Sequence, residues 1–353
     1  MAAKKIALIL LTLLACLVLL EFGLRATDRR PTTMSDGVYE QSGDSFRLRK
    51  NMSKVVRYPA FTYTIYTNEL GFRDSSTGPR ELRGRPFDVF LGASDVFGNG
   101  VEYAESFVGI VAAAAATKGR EVLNLATGGH YFLEQEELLK ELVETARLTP
   151  SRVFFCVNAL HIPKFDLRNR NIVVKSGYAM DRKGWRVTYL RLLAGNGSSA
   201  FCFFRDGVRR IQERYLGYRT DSKSAEFLET FSKANSIRRP DRIRAFAEHL
   251  DDFDAFCRQR GIEIVYVYLP LSDSFRLDEI LKKIGENPED YDITFFEDMM
   301  RSYCAKAGRG LVTLSPVLRE QSSAGRELRF KLDPHFNAHG NRVIGDYLIQ
   351  AVL

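Results

Sequence analysis

Three residues with the side chains of a nucleophile, a base and an orienting acid lie in two short segments at opposite ends of the chain. Ser94 is in the first, and Asp333 and His335 are in the second. In an extended backbone residues i and i+2 project to the same side, so Asp333 can reach the Nδ1 hydrogen of His335. Pro334 between them favours that conformation. His335 Nε2 can then accept the Ser94 proton, so the pattern predicts acyl transfer through a serine.

The residues around Ser94 predict a strand that runs into a tight turn. Residues 87–91 are apolar and rich in β-formers, Gly92 interrupts them, and helix-compatible residues follow Val101. Ser94 would then lie at the carboxyl end of a strand, where open α/β sheets bind their ligands. A serine after a glycine is also a common helix cap, as are Asp and His beside a helix start. The hypothesis therefore depends on the three residues together.

Strand and helix patterns alternate along most of the chain, and no internal repeat is evident. Apolar strands are predicted at 87–91, 121–125, 152–157, 262–269 and 311–314. Helices are predicted at 104–117, 132–147, 241–259 and 295–307, with a last helix after the N-cap residue Asn337. We expect an α/β fold with a mostly parallel sheet of about five strands and helices on both faces.

Four stretches resemble the sequence blocks of SGNH (GDSL-type) hydrolases, in the membrane-anchored bacterial branch related to carbohydrate esterases and O-acetyltransferases. Residues 91–101 resemble the first block, and 68–73 match its N-x-x-G-F-R lead-in. Residues 121–125 with Gly128 and Gly129 resemble the second block, and 333–340 match the closing D-x-H-F-N-x-x-G block. The resemblance runs from about residue 68 to 353 and is specific at its two ends.

The resemblance implies a role for each matching residue. Ser94 would be the nucleophile, His335 the general base and Asp333 the residue that orients it. The backbone N–H groups of Ser94 and Gly129 and the side-chain amide of Asn158 would form the oxyanion hole. Acyl transfer needs such donors, because negative charge develops on the carbonyl oxygen in the transition state.

Two departures from the family pattern leave a second class of function open. Ala93 and Ala159 stand where the family usually has aspartate. Neither position belongs to the triad, so we interpret them as altered support for the site. They also fit a catalytically degenerate protein of the cell envelope, one that binds carbohydrate or acts as a scaffold.

The N-terminus predicts a membrane anchor. Lys4 and Lys5 precede uncharged residues 6–20, and the apolar stretch continues to Leu24, long enough to cross a bilayer. A cleaved signal peptide is the competing interpretation, and Cys16 imitates a lipoprotein cleavage site. The residues after Cys16 stay apolar, which favours an uncleaved single-pass anchor. Basic residues flank both ends of the segment, so the positive-inside rule does not decide its orientation. The expectation that the domain is periplasmic or extracytoplasmic therefore follows mainly from the resemblance.

These patterns divide the chain into an anchor at 1–27, a linker and lead-in at 28–60, and a hydrolase-like domain at 61–353. The domain contains an irregular insertion at about 166–220, with twelve Lys or Arg against four Asp or Glu, interleaved with aromatic residues. A solvated face is one interpretation. A lid that faces an anionic membrane or a polysaccharide is another. Nucleic-acid binding is not expected, because no nucleic-acid motif accompanies the segment.

Five cysteines without a C-x-x-C pattern give no reason to expect a metal, and no cofactor is predicted. His335 and His339 are four apart but lack a third ligand. We expect His130 to border the pocket and His161 and His249 to be surface or capping residues; Asp95 is assigned no catalytic role. The expected partners are the membrane and a small ester, for which the resemblance favours an O-acetylated envelope carbohydrate. Water or a sugar hydroxyl could accept the acyl group, and protein partners are not predicted.

Overall fold

The structure, a computed structural model, describes residues 2–27, 37–58, 60–215, 222–271, 274–275, 277–331 and 333–353. The first element is helix α1 (Ala2–Ala26), in which most side chains are exposed. An 18-residue window within its segment Lys4–Ala26 has a mean hydropathy of 2.7, so α1 is long and apolar enough to cross a bilayer. A signal sequence has the same length and composition.

The range 28–60 was predicted as a linker and lead-in, and this is wrong for its second half. Residues 39–57 form strands β1 (Tyr39–Ser42), β2 (Ser45–Leu48) and β3 (Ser53–Arg57). Val38, Phe46, Leu48 and Val56 are buried in the core. The polar residues that suggested a linker alternate with these apolar ones, as expected of strands with one face in the core. Residues 28–36 lie outside the described residues.

The remaining strands follow in chain order. They are β4 (Thr62–Thr67), β5 (Arg73–Asp74), β6 (Phe87–Leu91), β7 (Glu121–Asn124), β8 (Arg152–Val157), β9 (Ile172–Lys175), β10 (Tyr178–Asp181), β11 (Glu263–Tyr268) and β12 (Gly310–Thr313). Within the described chain the main sheet has eight strands in the order β12-β11-β8-β6-β7-β5-β4-β3. Strands β1 and β2 pair as one antiparallel hairpin, and β9 and β10 as another.

The five predicted apolar strands form the parallel part of this sheet, from β12 to β7. The prediction of about five strands was too small, because β5, β4 and β3 extend the sheet antiparallel beyond β7. The sheet is therefore mixed. In β4 exposed or half-buried residues alternate with buried ones, a pattern typical of an antiparallel strand with one face in the core. Such strands contain no continuous apolar run, and the sequence analysis did not predict them.

Eleven helices follow α1 within the described residues. They are α2 (Ser94–Phe97), α3 (Phe107–Ala116), α4 (Phe132–Glu144), α5 (Trp185–Gly197), α6 (Ser199–Tyr215), α7 (Ser222–Phe231), α8 (Pro240–Gln259), α9 (Leu277–Ile284), α10 (Phe295–Ala307), α11 (Ser315–Ser323) and α12 (Ala338–Val352). The five predicted helices correspond to α3, α4, α8, α10 and α12. Asn337 is the N-cap of α12, and its Oδ1 accepts from the Gly340 N–H at 2.9 Å.

The sheet separates two hydrophobic cores, which confirms that helices cover both faces. Adjacent residues of β8 point to opposite sides: Phe154 stacks on Phe90 at 4.7 Å, and Phe155 packs against Phe253 of α8 at 5.3 Å. Helices α3 and α12 cover the first face, and α4, α8 and α10 cover the second. Strands buried on both faces consist of nearly continuous apolar residues, which is why these runs were visible in the sequence.

The insertion at 166–220 was predicted to be irregular, and this is wrong for most of it. It contains the β9–β10 hairpin and helices α5 and α6. Aromatic and basic residues are mixed along these helices, and α5 has no strong apolar face. Periodicity therefore did not reveal α5. Residues 216–220 lie outside the described residues.

Candidate active site

The turn around Ser94, residues 92–98, follows β6 directly. A Cβ on Gly92 would lie 2.2 Å from Val96 Cγ2, so a glycine is required there for the chain to pass. The N-cap of α2 is Ala93, with no side-chain hydrogen bond, so Ser94 is not the helix cap that the sequence left as an alternative. Ser94 is half-buried. Its hydroxyl therefore lies at the carboxyl edge of the sheet rather than in the core.

The lead-in segment, residues 68–73, stabilises the Ser94 turn. Asn68 Oδ1 accepts two backbone N–H groups at 3.0 and 3.1 Å, which fixes a tight turn ahead of Arg73. Arg73 is only 1% exposed and donates to the carbonyl oxygens of Phe97, Gly98 and Val101. A buried cation that meets the carbonyls at the end of a helical turn stabilises that turn. The N-x-x-G-F-R pattern thus has a structural role beside the site.

Asp333 and His335 are in direct contact. His335 Nδ1–H donates to Asp333 Oδ1 at 2.5 Å, and the same oxygen accepts the His335 backbone N–H at 3.0 Å. The His335 and Asp333 side chains are 17% and 22% exposed. Since a carboxylate only accepts hydrogen bonds, Nδ1 carries the hydrogen and Nε2 of the neutral ring is an acceptor. This is the tautomer that a general base for Ser94 requires.

An ion pair and a ring contact join the two segments of the site. Asp95, the residue after Ser94, has its Oδ1 3.8 Å from Arg329 Nη1. The Arg329 guanidinium lies 4.1 Å from the ring centroid of Phe336, the residue after His335, and their backbones form an antiparallel bridge. Both charged side chains are largely buried. Arg329 therefore holds the Ser94 turn and the Asp333–His335 segment side by side.

This arrangement predicts that Arg329 positions the site without taking part in the chemistry. We expect Arg329→Met to lower kcat on a small activated ester by about tenfold to a hundredfold, as misplacement of reacting groups does. Arg329→Lys should recover part of the loss, because it retains the charge opposite Asp95. We expect KM to change little, since the substitution leaves the binding surface in place.

A double-mutant cycle measures the contact. Arg329→Met and Asp95→Asn together should cost little more than either alone, because both remove the same ion pair. Additive losses would show that the two residues act independently. A thermal unfolding curve for each variant separates misplacement of the site from loss of the fold.

The residues predicted for the oxyanion hole lie after the next two strands. The Asn158 side-chain oxygen accepts two backbone N–H groups at 3.0 Å, so its Nδ2 hydrogens are not engaged in those bonds. Gly129 has φ +85°, a left-handed conformation that favours glycine. Gly128 is the closer of the two glycines to the serine: a Cβ on it would be 3.8 Å from Ser94 Cβ. Strands β6, β7 and β8 are neighbours, so all these groups lie at one edge of the sheet.

The β1–β2 hairpin covers this edge, a feature that the sequence analysis did not predict. His130 Nε2 lies 2.9 Å from the carbonyl oxygen of Phe46, and the two rings are 5.0 Å apart. His130 is 2% exposed, and burial lowers its pKa, so the ring is neutral and Nε2–H donates. Tyr39 Oη is 3.5 Å from the position of a Cβ on Gly128. The alternation of Phe46 and Leu48 was the available signal.

The other histidines lie outside the site. His249 was predicted to be a surface or capping residue, but its Nε2 is 2.6 Å from Glu136 Oε1 and its ring packs against Phe132 and Phe165. His161 is in the turn after Asn158, half-buried. His339 is exposed on α12. The pairing with Glu136 was not visible because Glu136 is on α4, more than a hundred residues from His249.

A hollow of about 390 Å³ lies at the opposite edge of the sheet, lined by Lys118, Arg120, Ser151, Arg152, Glu263 and Leu353 among others. Asp88 beside it is fully buried and bonds to Arg120 at 2.6 Å and Arg152 at 2.7 Å. These charges pair with one another and close the amino ends of the strands. They contribute nothing to the Ser94 site.

No protein-family model and no curated protein matches this sequence. Its fold is similar to that of several solved structures. One is an acetyl xylan esterase, AlAXEase, at 13% identity, covering 76% of this chain and 100% of that chain with a TM-score of 0.41. A putative lipolytic G-D-S-L protein from Desulfitobacterium hafniense matches at 12% identity, 75% and 99% coverage and a TM-score of 0.41. A G-D-S-L family member from Veillonella parvula matches at 12% identity, 75% and 97% coverage and a TM-score of 0.39.

At 12–13% identity this likeness concerns the fold alone.

Proposed function

We propose that the protein is a membrane-anchored serine esterase or acyltransferase that works through an acyl-Ser94 intermediate. The observation that carries this proposal is the Asp333–His335 pair, which Arg329 holds beside the Ser94 turn. A base in the required tautomer, in a segment that Arg329 joins to the turn of a half-buried serine, supports activation of the Ser94 hydroxyl.

In the first half-reaction, Ser94 Oγ attacks the ester carbonyl while His335 Nε2 takes its proton. Asp333 stays ionised and stabilises the imidazolium. The backbone N–H groups of Ser94 and Gly129 and the Asn158 Nδ2 group would donate to the oxyanion of the tetrahedral intermediate. His335 then returns the proton to the leaving alcohol oxygen as the C–O bond breaks, which leaves the acyl group on Ser94.

In the second half-reaction, His335 removes a proton from water or from a sugar hydroxyl, whose oxygen attacks the acyl carbon. His335 then returns that proton to Ser94 Oγ as the bond between Oγ and the acyl group breaks. Hydrolysis and transfer thus share one site and differ only in the acceptor. The sequence resemblance favours an O-acetyl group on an envelope carbohydrate as the substrate. Helix α1 would anchor the domain, with the site on the extracytoplasmic side.

Ala93 and Ala159, which stand where the family usually has aspartate, are buried. Both are at most 5% exposed. An aspartate at either position would need a partner for its charge. Asp95 supplies the carboxylate of this region instead, with Arg329 as its partner.

A fluorophosphonate probe tests the proposal without knowledge of the substrate. We expect the folded full chain in detergent to be labelled once, and peptide mass spectrometry to locate the adduct on Ser94. The phosphonyl group reacts only with an activated hydroxyl, so unactivated serines elsewhere serve as internal controls. A folded protein that is inert to the probe and to small activated esters would instead be a scaffold or a binding protein.

A further inference from the structure

Helices α5 and α6 form a hairpin that exposes large apolar side chains. On α5 they recur at three-residue spacing, and on α6 they cluster near the start of the helix. They are Val187, Leu190, Leu193, Phe201, Phe203, Phe204 and Val208, between 36% and 65% exposed. Seven exposed apolar side chains on two helices that contact each other indicate an interaction surface rather than ordinary scattered exposure.

The hairpin is attached to α1 through Glu21. The Glu21 carboxylate accepts from the backbone N–H groups of Ser199 at 3.0 Å and Ala200 at 2.8 Å, and from Ser198 Oγ at 2.9 Å. It therefore caps the amino terminus of α6, where unpaired N–H groups and the helix dipole favour an anion. Arg25 adds a bond of 2.7 Å to the carbonyl oxygen of Gly197.

The contacts with Glu21 fix the position of the α5–α6 hairpin along the axis of α1. Leu17, Val18 and Phe22 of α1 line a crevice with Phe201 and Phe204 of α6. At 1.5 Å per residue, Leu17 is about 13 Å and Phe22 about 6 Å from the end of α1 at Ala26. The span Lys4–Ala26 is about 35 Å long, slightly more than the roughly 30 Å hydrocarbon core. The first turns of α6 are thus level with the boundary of the hydrocarbon.

We propose that α5–α6 is an interfacial hairpin whose exposed apolar residues insert into the phospholipid leaflet from which α1 emerges. The inference rests on the proposed role of α1 as a membrane anchor. The medium that surrounds the exposed side chains of α1 also reaches Phe201 and Phe204, since these rings line an open crevice together with α1. A carboxylate at that depth is costly unless it is paired. The α6 amino terminus supplies hydrogen-bond partners for Glu21, and Arg25 Nε on α1 lies 2.6 Å from its Oε1.

The charges around the hairpin fit a lipid surface. Arg182, Lys183, Arg186 and Arg191 are exposed near the apolar residues of α5. Basic residues beside an inserted apolar face are typical of interfacial helices, because they meet the head groups while the apolar side chains enter the acyl region. Trp185 at the start of α5 is an aromatic of the kind enriched at that level. The hairpin would keep the domain close to the membrane.

Depth-dependent fluorescence quenching tests this, because Trp185 is the only tryptophan of the chain. The full chain is reconstituted into phosphatidylcholine–phosphatidylglycerol vesicles that contain lipids with a nitroxide either at the head group or along the acyl chain. In a Trp185→Phe background, a tryptophan introduced by Phe204→Trp should be quenched in the nitroxide vesicles. Its fluorescence there should be several-fold lower than in vesicles without nitroxide. A tryptophan introduced by Ile284→Trp, at a similarly exposed site on α9, should not be quenched.

Flotation of the same vesicles after carbonate washing separates the inference from the anchor. If the protein floats and position 204 is quenched while position 284 is not, the hairpin lies in the leaflet. If the protein floats and position 204 emits without quenching, the hairpin faces water or is covered by protein, and the inference is wrong. If the protein does not float, α1 is not an anchor, and both proposals about the membrane fail.

Glu21→Ala probes the attachment. Loss of the cap should reduce quenching at position 204 and leave flotation and small-ester hydrolysis unchanged, because α1 and the Ser94 site remain intact. Glu21→Gln should reduce it less, since its amide oxygen can still accept from the α6 amino terminus. Unchanged quenching in Glu21→Ala would show that Glu21 does not position the hairpin.

Discussion

Ser94→Ala should lower kcat on a small activated ester by on the order of 10⁴ to 10⁶, the loss expected when the nucleophile of a serine hydrolase is removed. Alanine has no oxygen to form the acyl-enzyme, so only the residual effect of the oxyanion donors and of substrate binding is left. Substrate KM should change little, because the hydroxyl acts on the reacting carbon and contributes little to binding. Phosphonate labelling should disappear with activity.

Ser151→Ala is the matched control. Ser151 is half-buried at the opposite edge of the sheet, beside the hollow that contains no part of the site. The same chemical change there should alter kcat less than about twofold, as is usual for substitutions remote from the chemistry. Full activity in Ser94→Ala would assign the chemistry to another nucleophile or remove the enzymatic function altogether.

The second large effect is expected at His335. Replacement by alanine should reduce acylation by about 10⁴-fold or more, since no other described group in the site is arranged to take the Ser94 proton. Pre-steady-state hydrolysis of a p-nitrophenyl ester measures acylation directly as a burst. His339→Ala, an exposed histidine four residues later, should leave the burst unchanged.

Asp333→Asn should cost a similar amount or less. The amide nitrogen of asparagine would donate toward His335 Nδ1, which would place the ring hydrogen on Nε2 and stop Nε2 from accepting. A loss of up to about 10⁴-fold is expected from the wrong tautomer. If His335→Ala were fully active, or if Asp333→Asn were more damaging than His335→Ala, the assignment of the base and its orienter would be wrong.

The parallel core of the sheet and the helices around it were predictable because their signals are local. Strands β6 and β8 are buried on both faces, so apart from Asp88 and Arg152 their residues are apolar and the run can be read in the sequence. Asn337 was recognised as the start of α12, because a cap depends on a few neighbouring residues. The strands of the sheet extension were missed, since alternating residues at a sheet edge resemble a polar linker.

The contact between Asp333 and His335 was likewise determined locally, because i and i+2 side chains of an extended segment project together. The sequence could not indicate which residues join that segment to Ser94. Arg329 meets Asp95 across more than two hundred residues, and Glu21 caps a helix that begins 178 residues later. Such pairs have no periodicity and no characteristic spacing. They arise only when folding brings distant segments to the same sheet edge or to the same level of a helix, so the tertiary structure alone decided them.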